Sequence, residues 1–502
     1  MAKTFFIQTL GCKVNQYESD QIAQVLRSRG LVQVDSPAAD VRVINTCSVT
    51  VQAASKSRQI IRRATRLPVL TPGSSACGLA SINPAAKTIV TGCWATSDRD
   101  KACGMPGVDA VLTHHEDVAR DLGAILDRWN LTNNYANTRS KPPSGLTRND
   151  GWMTSAGTSA GELRAGDDTL SGAGPVKRKP AIGIIGTHAL PILHDHQTGR
   201  QRAYLKVQDG CDAHCTYCII PRLRPTLWSK SVEDAAEEAS ALVAAGHKEI
   251  VLTGIFLGAY GRETALRRRQ QAQSGHPITT LVEALCTRVP GLRRLRFSSL
   301  EPGDLTDDLI AVLRSHEQVV PHFHLPLQSG SDELLRRMNR QYSRRDYLRM
   351  IESAHRTFDR PAITTDIIVG FPGETDSEFE RTLEIVDRAK FIHIHAFSFS
   401  PRPGTAAARW TRDFVRGPVV NERIEILNAR AQRYDLEFRE QFFGERVEVL
   451  VERPQSESSL RHGRCERYFG VHFEDSSAQA GDLVELQIDH VTPHRTIGTR
   501  LA

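Results

Sequence analysis

The sequence predicts a three-part α/β chain, and three observations predict it. Near the N-terminus an apolar run, a helix and a second apolar run follow one another, the order that produces a parallel strand pair. From about Arg202 to Thr405 six strand–helix units repeat. Beyond residue 441 short alternating runs, separated by glycines and polar turns, suggest a small antiparallel β-barrel. The composition agrees. A chain of 502 residues, 40% hydrophobic and 24% charged, is ordinary for about three globular domains and excludes a wholly disordered protein. The most apolar stretch, Ser240–Tyr260, contains His247, Lys248 and Glu249, so the sequence offers no membrane span. The opening MAKTFFIQTLGC is broken by Gln8, and its apolar part is too short for a secretion signal. A net charge of +6 admits a nucleic-acid partner without demanding one. Ten cysteines are too sparse for a disulfide scaffold, so their spacing carries the information.

The first elements place three of those cysteines. Thr4–Leu10, Val41–Ile44 and Lys87–Thr91 read as short buried strands, and Cys12, Cys47 and Cys93 follow them. Between the first two strands, Glu18–Arg29 carries Ile22, Val25 and Leu26 at helical spacing and stops at Gly30. Ligands of parallel sheets gather at the carboxyl ends of the strands. The three cysteines are therefore expected to converge on one edge, as ligands of an iron–sulfur cluster with one iron left free. The competing reading is three buried cysteines packed as small apolar groups. Cys77, in the irregular stretch Leu67–Ile82, rivals Cys93 as a ligand. Cys286 lies on a helical face in LVEALC and reads as core, while Cys103 and Cys465 fit no pattern. Asn130–Lys179, rich in Ser, Thr, Gly, Asn and Pro, reads as a mobile linker or insert.

In the middle of the chain the candidate strands are Ala203–Val207, Glu249–Thr253, Leu295–Ser299, His322–Leu327, Ile363–Val369 and Ile392–Ser398. Helices alternate with them: one opens with the capping box Ser231–Asp234 and ends at Gly246, another opens at Thr375–Glu378, and Leu305–Arg314 and Arg344–Phe358 have helical period. Six β/α units wind right-handed, into either an open barrel or a doubly wound sheet. The loop after the first strand, GCDAHCTYC, holds Cys211, Cys215 and Cys218 in C-x3-C-x2-C spacing. Three thiolates on one loop can grip three corners of a cubane cluster. Zinc competes, but a structural zinc takes four ligands, and His214, immediately before Cys215, is poorly placed to be the fourth. Later turns at Gly254, Glu301, Gln328 and Asp366–Thr375 are expected to ring the same mouth. There Glu301 and Asp366 could accept hydrogen bonds from a ribose or an amine; helix caps and ordinary turns are the plainer reading. Arg267–Arg269 opens a second insert and reads as a solvated helix end or a contact for RNA phosphates.

The last part begins with a helix, Asn421–Phe443, ended by Gly444. The runs Arg446–Val451, Tyr468–Phe473 and Leu483–Ile488 follow. Over 441–502 ten Asp and Glu outnumber seven Lys and Arg, a net of −3, so RNA binding here would fall to Arg461, Arg464 and Arg467.

These residues carry a family resemblance. KVQDGCDAHCTYCIIP resembles the cluster loop of radical S-adenosylmethionine (SAM) enzymes. TLGCKVNQYESD, INTCSV and VTGCWA resemble the methylthiotransferases among them, and HLPLQSGSDELLRRMNRQYSR, TTDIIVGFPGETDSEF and FSFSPRPGTAAA extend the match. The likeness covers most of 1–65 and 85–130 and nearly all of 200–440. GCKVNQYES resembles the subgroup that acts on tRNA carrying N6-threonylcarbamoyladenosine; the isopentenyladenosine and ribosomal-protein subgroups carry other residues after the first cysteine. The resemblance implies two 4Fe-4S clusters and SAM as cofactors. Cys211, Cys215 and Cys218 would hold the cluster that reduces SAM to a 5′-deoxyadenosyl radical, which takes hydrogen from carbon 2 of the adenine. Cys12, Cys47 and Cys93 would hold the cluster that carries or supplies sulfur, and a second SAM would supply the methyl group. Tyr217, Gly254, Glu301, Gln328 and Asp366 would contact SAM. It also implies an N-terminal methylthiotransferase domain over 1–129, a linker over 130–199, an open six-unit radical SAM barrel over 200–440, and a small RNA-binding TRAM-like barrel over 441–502. The partners would be tRNA and an electron donor such as flavodoxin or ferredoxin, in the reducing cytoplasm that thiolate clusters need. An iron–sulfur protein that binds RNA or senses redox state without SAM chemistry would not need the strand-end turns. The chain departs from the family pattern in the insert at 67–82, in Trp94, Thr96 and Arg224–Pro225, and in the length of its linker.

Overall fold

The computed structural model describes residues 3–67, 86–131, 193, 200–267, 276–454 and 460–501. Cys77, Arg268, Arg269 and nearly all of the 130–199 segment lie outside them.

The N-terminal part is a five-stranded, wholly parallel sheet. Its elements run β1 (Thr4–Thr9), α1 (Lys13–Ser28), β2 (Val32–Gln33), β3 (Val41–Thr46), α2 (Val51–Thr65), β4 (Lys87–Gly92), α3 (Cys93–Ser97), α4 (Arg99–Cys103), β5 (Ala110–Val111) and α5 (Val118–Arg128). The strand order is β2-β1-β3-β4-β5. The expected strands are present, and the short edge strands β2 and β5 are additional. Helix α1 starts at Lys13, not at Glu18. Gly11, at φ +101°, turns the chain, and Cys12 takes the extended cap position, so Lys13–Tyr17 already lie in the helix. Gly30, at φ +83°, ends it as expected.

The middle part has the order β6 (Arg202–Asp209), α6 (Ile220–Leu223), β7 (Trp228–Ser229), α7 (Val232–Ala244), β8 (Glu249–Gly254), α8 (Pro277–Arg288), β9 (Arg294–Phe297), α9 (Asp307–Ser315), β10 (His322–His324), α10 (Asp332–Arg337), α11 (Arg344–Thr357), β11 (Ala362–Val369), α12 (Asp376–Ala389), β12 (His393–Ser398) and α13 (Gly417–Glu440). Strands β6-β8-β9 and β10-β11-β12 are parallel ladders, and a bridge between Ser299 and His324 joins them. Each parallel strand is added on the same side as the one before, and the two-residue β7 pairs antiparallel on the far edge of β6. This is an open barrel, and the doubly wound alternative, which reverses direction, is excluded. Strand β10 stops at His324 instead of Leu327. Pro326 has no N–H to give, and Gln328 sits left-handed at φ +63° while donating its N–H to the Asp366 carbonyl at 2.8 Å. Ser231 caps α7 by accepting the Asp234 N–H, and Thr375 and Glu378 cap α12 reciprocally.

Along the barrel strands side chains alternate. Ala203, Leu205 and Val207 pack outward into the core under the helices, as do Ile250 and Leu252, Leu295 and Phe297. The intervening positions are polar: Arg202, Lys206 and Gln208 on β6, Arg294 and Arg296 on β9. A parallel sheet covered by apolar layers on both faces would read as continuous apolar strands. The alternation means that the barrel encloses a polar chamber.

The C-terminal part is a closed barrel of β13 (Arg446–Val451), β14 (Arg461–Cys465), β15 (Gly470–Phe473), β16 (Leu483–Val491) and β17 (Thr496–Arg500), ordered β13-β14-β15-β17-β16. It is not wholly antiparallel, because β15 and β17 pair in parallel at His472 and Ile497. Strand β15 starts after Tyr468, whose left-handed φ of +75° cannot continue a strand. Helix α13 begins at Gly417, with Pro418 in its first turn, ahead of the expected Asn421. Phe438 from this helix and Phe442 just beyond it share one core with Val449, Phe469 and Phe473 of the barrel and with Ala362 and Ile392 of the middle part.

Candidate functional site

The N-terminal cysteine set adjoins the cysteine loop of the middle part through Cys93. Cys93 opens α3 directly after β4 and packs against Ile219 and Leu223, which flank the C-x3-C-x2-C loop. Cys47 lies against Gly11: a Cβ built there would meet the Cys47 Sγ at 3.0 Å. Cys93 and Cys47 each feel Cys12 electrostatically, so the three thiols share one edge of the sheet as the strand ends predict. Burial raises the Cys47 thiol and pushes the Cys93 thiol up to about 12.

The second set is held from below. Thr216 N–H donates to the Met338 carbonyl at 3.0 Å, its hydroxyl donates to the Arg337 carbonyl at 2.9 Å, and Asn339 Nδ2 donates to the His214 carbonyl at 3.1 Å. Arg340 Nη1 donates to Cys215 Sγ at 3.1 Å and to the Tyr217 hydroxyl at 3.3 Å, while its Nη2 pairs with Glu301. Burial pushes Cys211 and Cys218 up to about 12. Both thiol sets thus sit where a bound cation would favour the thiolate.

The donor sets fit iron–sulfur clusters better than single ions. Among the described residues the one trio whose ligand atoms lie within 4.8 Å of each other is His324, Asp366 and His395, and neither cysteine set is that tight. A single zinc needs convergent donors; a cluster presents separate iron corners to separate thiolates. His214 is exposed and left-handed at φ +54°, so it does not complete a four-ligand zinc site.

A buried ion network locks the two halves together. Arg224 donates to Glu18 Oε1 and Oε2 at 2.7 and 2.8 Å and to Asp209 Oδ2 at 2.7 Å, and Lys206 Nζ donates to Glu18 at 2.9 Å and Asp209 at 2.7 Å. Burial alone would raise Asp209 and Glu18; Arg224 and Lys206 outweigh it and hold both below the ordinary carboxylate range. Arg224 Nη2 also lies 2.9 Å from His114 Nε2, which is 3.9 Å from Cys93 Sγ. Burial, then the Arg224 charge, drives His114 down to about 3, so the ring is neutral. Thr96 Oγ1 receives the His114 N–H at 3.0 Å and fixes its position.

Of the residues expected to ring the mouth, Tyr217 and Glu301 meet at Arg340 beside Cys215. Gly254 lies elsewhere, against Gln208, where a Cβ would come within 3.0 Å of that side chain. Gln208 in turn donates to the Asp209 and Gly210 carbonyls at 2.8 Å, at the entrance to the cysteine loop. Gln328 serves the β11 ladder. Asp366 faces the chamber, with Oδ2 3.3 Å from His324 Nε2. Arg340, His114, Arg224 and the chamber histidines were not foreseen. The alternation of β6 and β9 was the available signal for the chamber; Arg340 and His114 sit in turns that carry no periodic mark.

Residues 205–386 match the model of the radical SAM superfamily, and residues 4–113 match that of an uncharacterized protein family, UPF0004. The chain is 33% identical to a threonylcarbamoyladenosine tRNA methylthiotransferase MtaB of Bacillus subtilis, over 97% of this chain and 93% of that one. It is 32% identical to a tRNA-2-methylthio-N(6)-dimethylallyladenosine synthase of Mycobacterium marinum, over 99% and 85%. Among solved structures, the radical SAM methyltransferase TsrM of Kitasatospora setae shares the fold at a TM-score of 0.50 and 12% identity, covering 81% of this chain and 75% of that one.

Proposed function

This chain belongs to the radical SAM methylthiotransferases, and from that premise we propose that it transfers a methylthio group to carbon 2 of N6-threonylcarbamoyladenosine in tRNA. The observation that carries the reading is the contact of Cys93, from the N-terminal triad, with Ile219 and Leu223, which directly follow the second triad. Cys211, Cys215 and Cys218 would hold the cluster that binds SAM; Cys12, Cys47 and Cys93 would hold the second. When bound, these groups supply reductive cleavage of SAM, sulfur and the methyl group. The protein's own residues orient and enclose. Arg340 aims Cys215 and keeps Tyr217 and Glu301 beside it. Neutral His114 and Arg224 hold the wall behind Cys93. Gly254 leaves room for Gln208 to brace the entrance to the cysteine loop, and Asp366 lines the chamber.

The threonylcarbamoyl substrate rests on the named relatives and on the likeness of GCKVNQYES to that subgroup. We assign residues 1–129 to the sulfur-handling domain, 200–440 to the radical SAM domain, 441–502 to a TRAM-like domain and 130–199 to their linker. Transfer RNA and a one-electron donor such as flavodoxin or ferredoxin are the partners. The cytoplasm is the compartment, since thiolate clusters need reducing conditions. Among the described residues no helix is long and apolar enough to cross a membrane.

The test is mass spectrometry of tRNA nucleosides from cells with and without the gene. Loss of 2-methylthio-N6-threonylcarbamoyladenosine, with accumulation of its precursor, is expected. An unchanged profile in a strain without a second copy refutes the assignment, and loss of the isopentenyl derivative moves the chain to the other tRNA subgroup.

A further inference from the structure

The polar chamber of the barrel carries polar groups that no described residue satisfies. Arg202 Nη1 and Arg296 Nη1 are buried without a hydrogen-bond partner, and so are both ring nitrogens of His322. Arg202 Nη2 pairs with Glu452, and Arg296 Nε and Nη2 donate to Glu249 at 2.7 and 3.3 Å. A buried donor left unpaired costs about 1–3 kcal/mol. Three such groups, on β6, β9 and β10, therefore point to a missing acceptor.

Lys13 supplies the excess charge. It follows Cys12 at the start of α1, and its electrostatic neighbours are Tyr468, Arg296, Arg202 and Glu249, with His322 and His395 beyond. These residues belong to β6, β8, β9, β10, β12 and the C-terminal barrel, and α1, which Lys13 opens, packs against β6 and β8. Among the described residues no carboxylate forms an ion pair with it. Tyr468 forms the floor: the guanidinium carbons of Arg296 and Arg202 lie 4.9 and 5.1 Å from its ring centroid, and the His322 ring lies 4.7 Å away. The same positive field disfavours a cation on His324, Asp366 and His395, although their spacing would admit one.

We propose that Lys13, Arg202 and Arg296, floored by Tyr468, form a carboxylate pocket that receives the acid group of the N6 substituent on the target base. This rests on the threonylcarbamoyl substrate proposed above, whose threonine carboxylate is free; an isopentenyl group has no anion to offer. Lys13 thereby selects the substrate from the residue adjoining a cluster cysteine.

The experiment uses the full-length holoenzyme with both clusters loaded and no SAM, so that binding is read without turnover. Anticodon stem–loops carrying N6-threonylcarbamoyladenosine, or the same base with its carboxylate converted to a carboxamide, are titrated by fluorescence anisotropy. The wild-type protein is expected to prefer the acid by about tenfold or more, the scale of a charge-assisted hydrogen bond. In K13M the preference falls to about one, and in K13R, which keeps the charge, it persists. Equal binding of acid and amide by the wild type overturns the pocket. A K13M variant that weakens both RNAs equally overturns it too, because Lys13 would then contact phosphate. Should K13M fail to load its clusters, the wild-type and K13R ratios decide. Failure of the substrate assignment shows separately, as no methylthio product on the threonylcarbamoyl stem–loop when SAM and reductant are added.

Discussion

His276 caps α8 through an acceptor atom: its Nδ1 receives the Ile278 N–H at 3.3 Å. Burial, with Arg262 and Arg267 close by, holds its pKa down to about 4. In the unfolded chain the ring titrates near 6.5. The folded value is depressed, so the stability this ring contributes is complete above about pH 6.5 and is lost as the pH falls towards 4. At about 1.4 kcal/mol per pKa unit, the loss between pH 7.5 and pH 5 is about 2 kcal/mol. His276→Asn keeps a capping acceptor that does not titrate. Its thermal midpoint is expected to fall less than the wild type's over that range, and equal falls would refute the cap. The cysteines give a second residue-scale prediction. Replacing Cys12, Cys47 and Cys93 together with alanine should lower bound iron from about eight to about four atoms per chain and leave a spectrum of one cluster. Replacing Cys211, Cys215 and Cys218 should also leave about four but abolish SAM cleavage. The six thiols were legible because three share one loop at a distinctive spacing and three follow strands. Arg340 and His114 were not, because each acts on a cysteine far away in sequence.

At the scale of elements, α1 and β6 are joined by charge. Glu18, Lys206, Asp209 and Arg224 are all buried, and the carboxylates and cations balance. Arg224→Met leaves two buried carboxylates facing one lysine and should cost about 3–5 kcal/mol, read as a lower denaturant midpoint. Adding Glu18→Leu should recover part of the loss, and two independent, additive losses would show that the network does not couple them. Close to it, Gly210 holds φ +80°, and a Cβ there would come within 2.0 Å of the Thr226 carbonyl oxygen. Gly210→Ala is expected to displace the loop that starts at Cys211 and lower its iron content. The strands were largely readable from their β-branched runs. Of those that escaped notice, β14 with RHGRC is poor in strand formers, and β2, β5 and β7 have only two residues each. Gly463 explains one of them: a Cβ would meet the Leu450 carbonyl oxygen at 2.4 Å, so close strand packing excludes better strand formers.

At the scale of the whole molecule, the C-terminal barrel is part of the enzyme's frame. Arg467 Nη2 donates to Asp359 Oδ2 at 3.2 Å, Arg360 Nη2 donates to Glu445 Oε2 at 2.7 Å, and Arg464 Nη1 donates to the Tyr468 carbonyl at 2.9 Å. Arg461 is likewise turned to the Asp475 carbonyl at 3.2 Å. The arginines expected to carry RNA binding each give at least one nitrogen to an internal bond, which composition could not reveal. Removing 444–502 would bare Phe438, Phe442, Ala362 and Ile392. The truncated protein should melt earlier and aggregate; a truncation with an unchanged melting curve and weaker RNA binding alone would contradict this role.

The lock between α1 and the barrel also has a history in time. Glu18 and Arg224 are 206 positions apart, and Tyr17 and its partner Glu238 are 221 apart. During synthesis at roughly 5–20 residues per second, Glu18 leaves the ribosome about ten seconds or more before the arginine that will neutralise it. The N-terminal sheet must therefore wait with its charged face in water, and loop closure over such a span makes docking a late event. Refolding should accordingly show a slow phase, reported by quenching of Trp228 fluorescence near the α1 contact, that follows recovery of helical signal and disappears when residues 1–129 are absent.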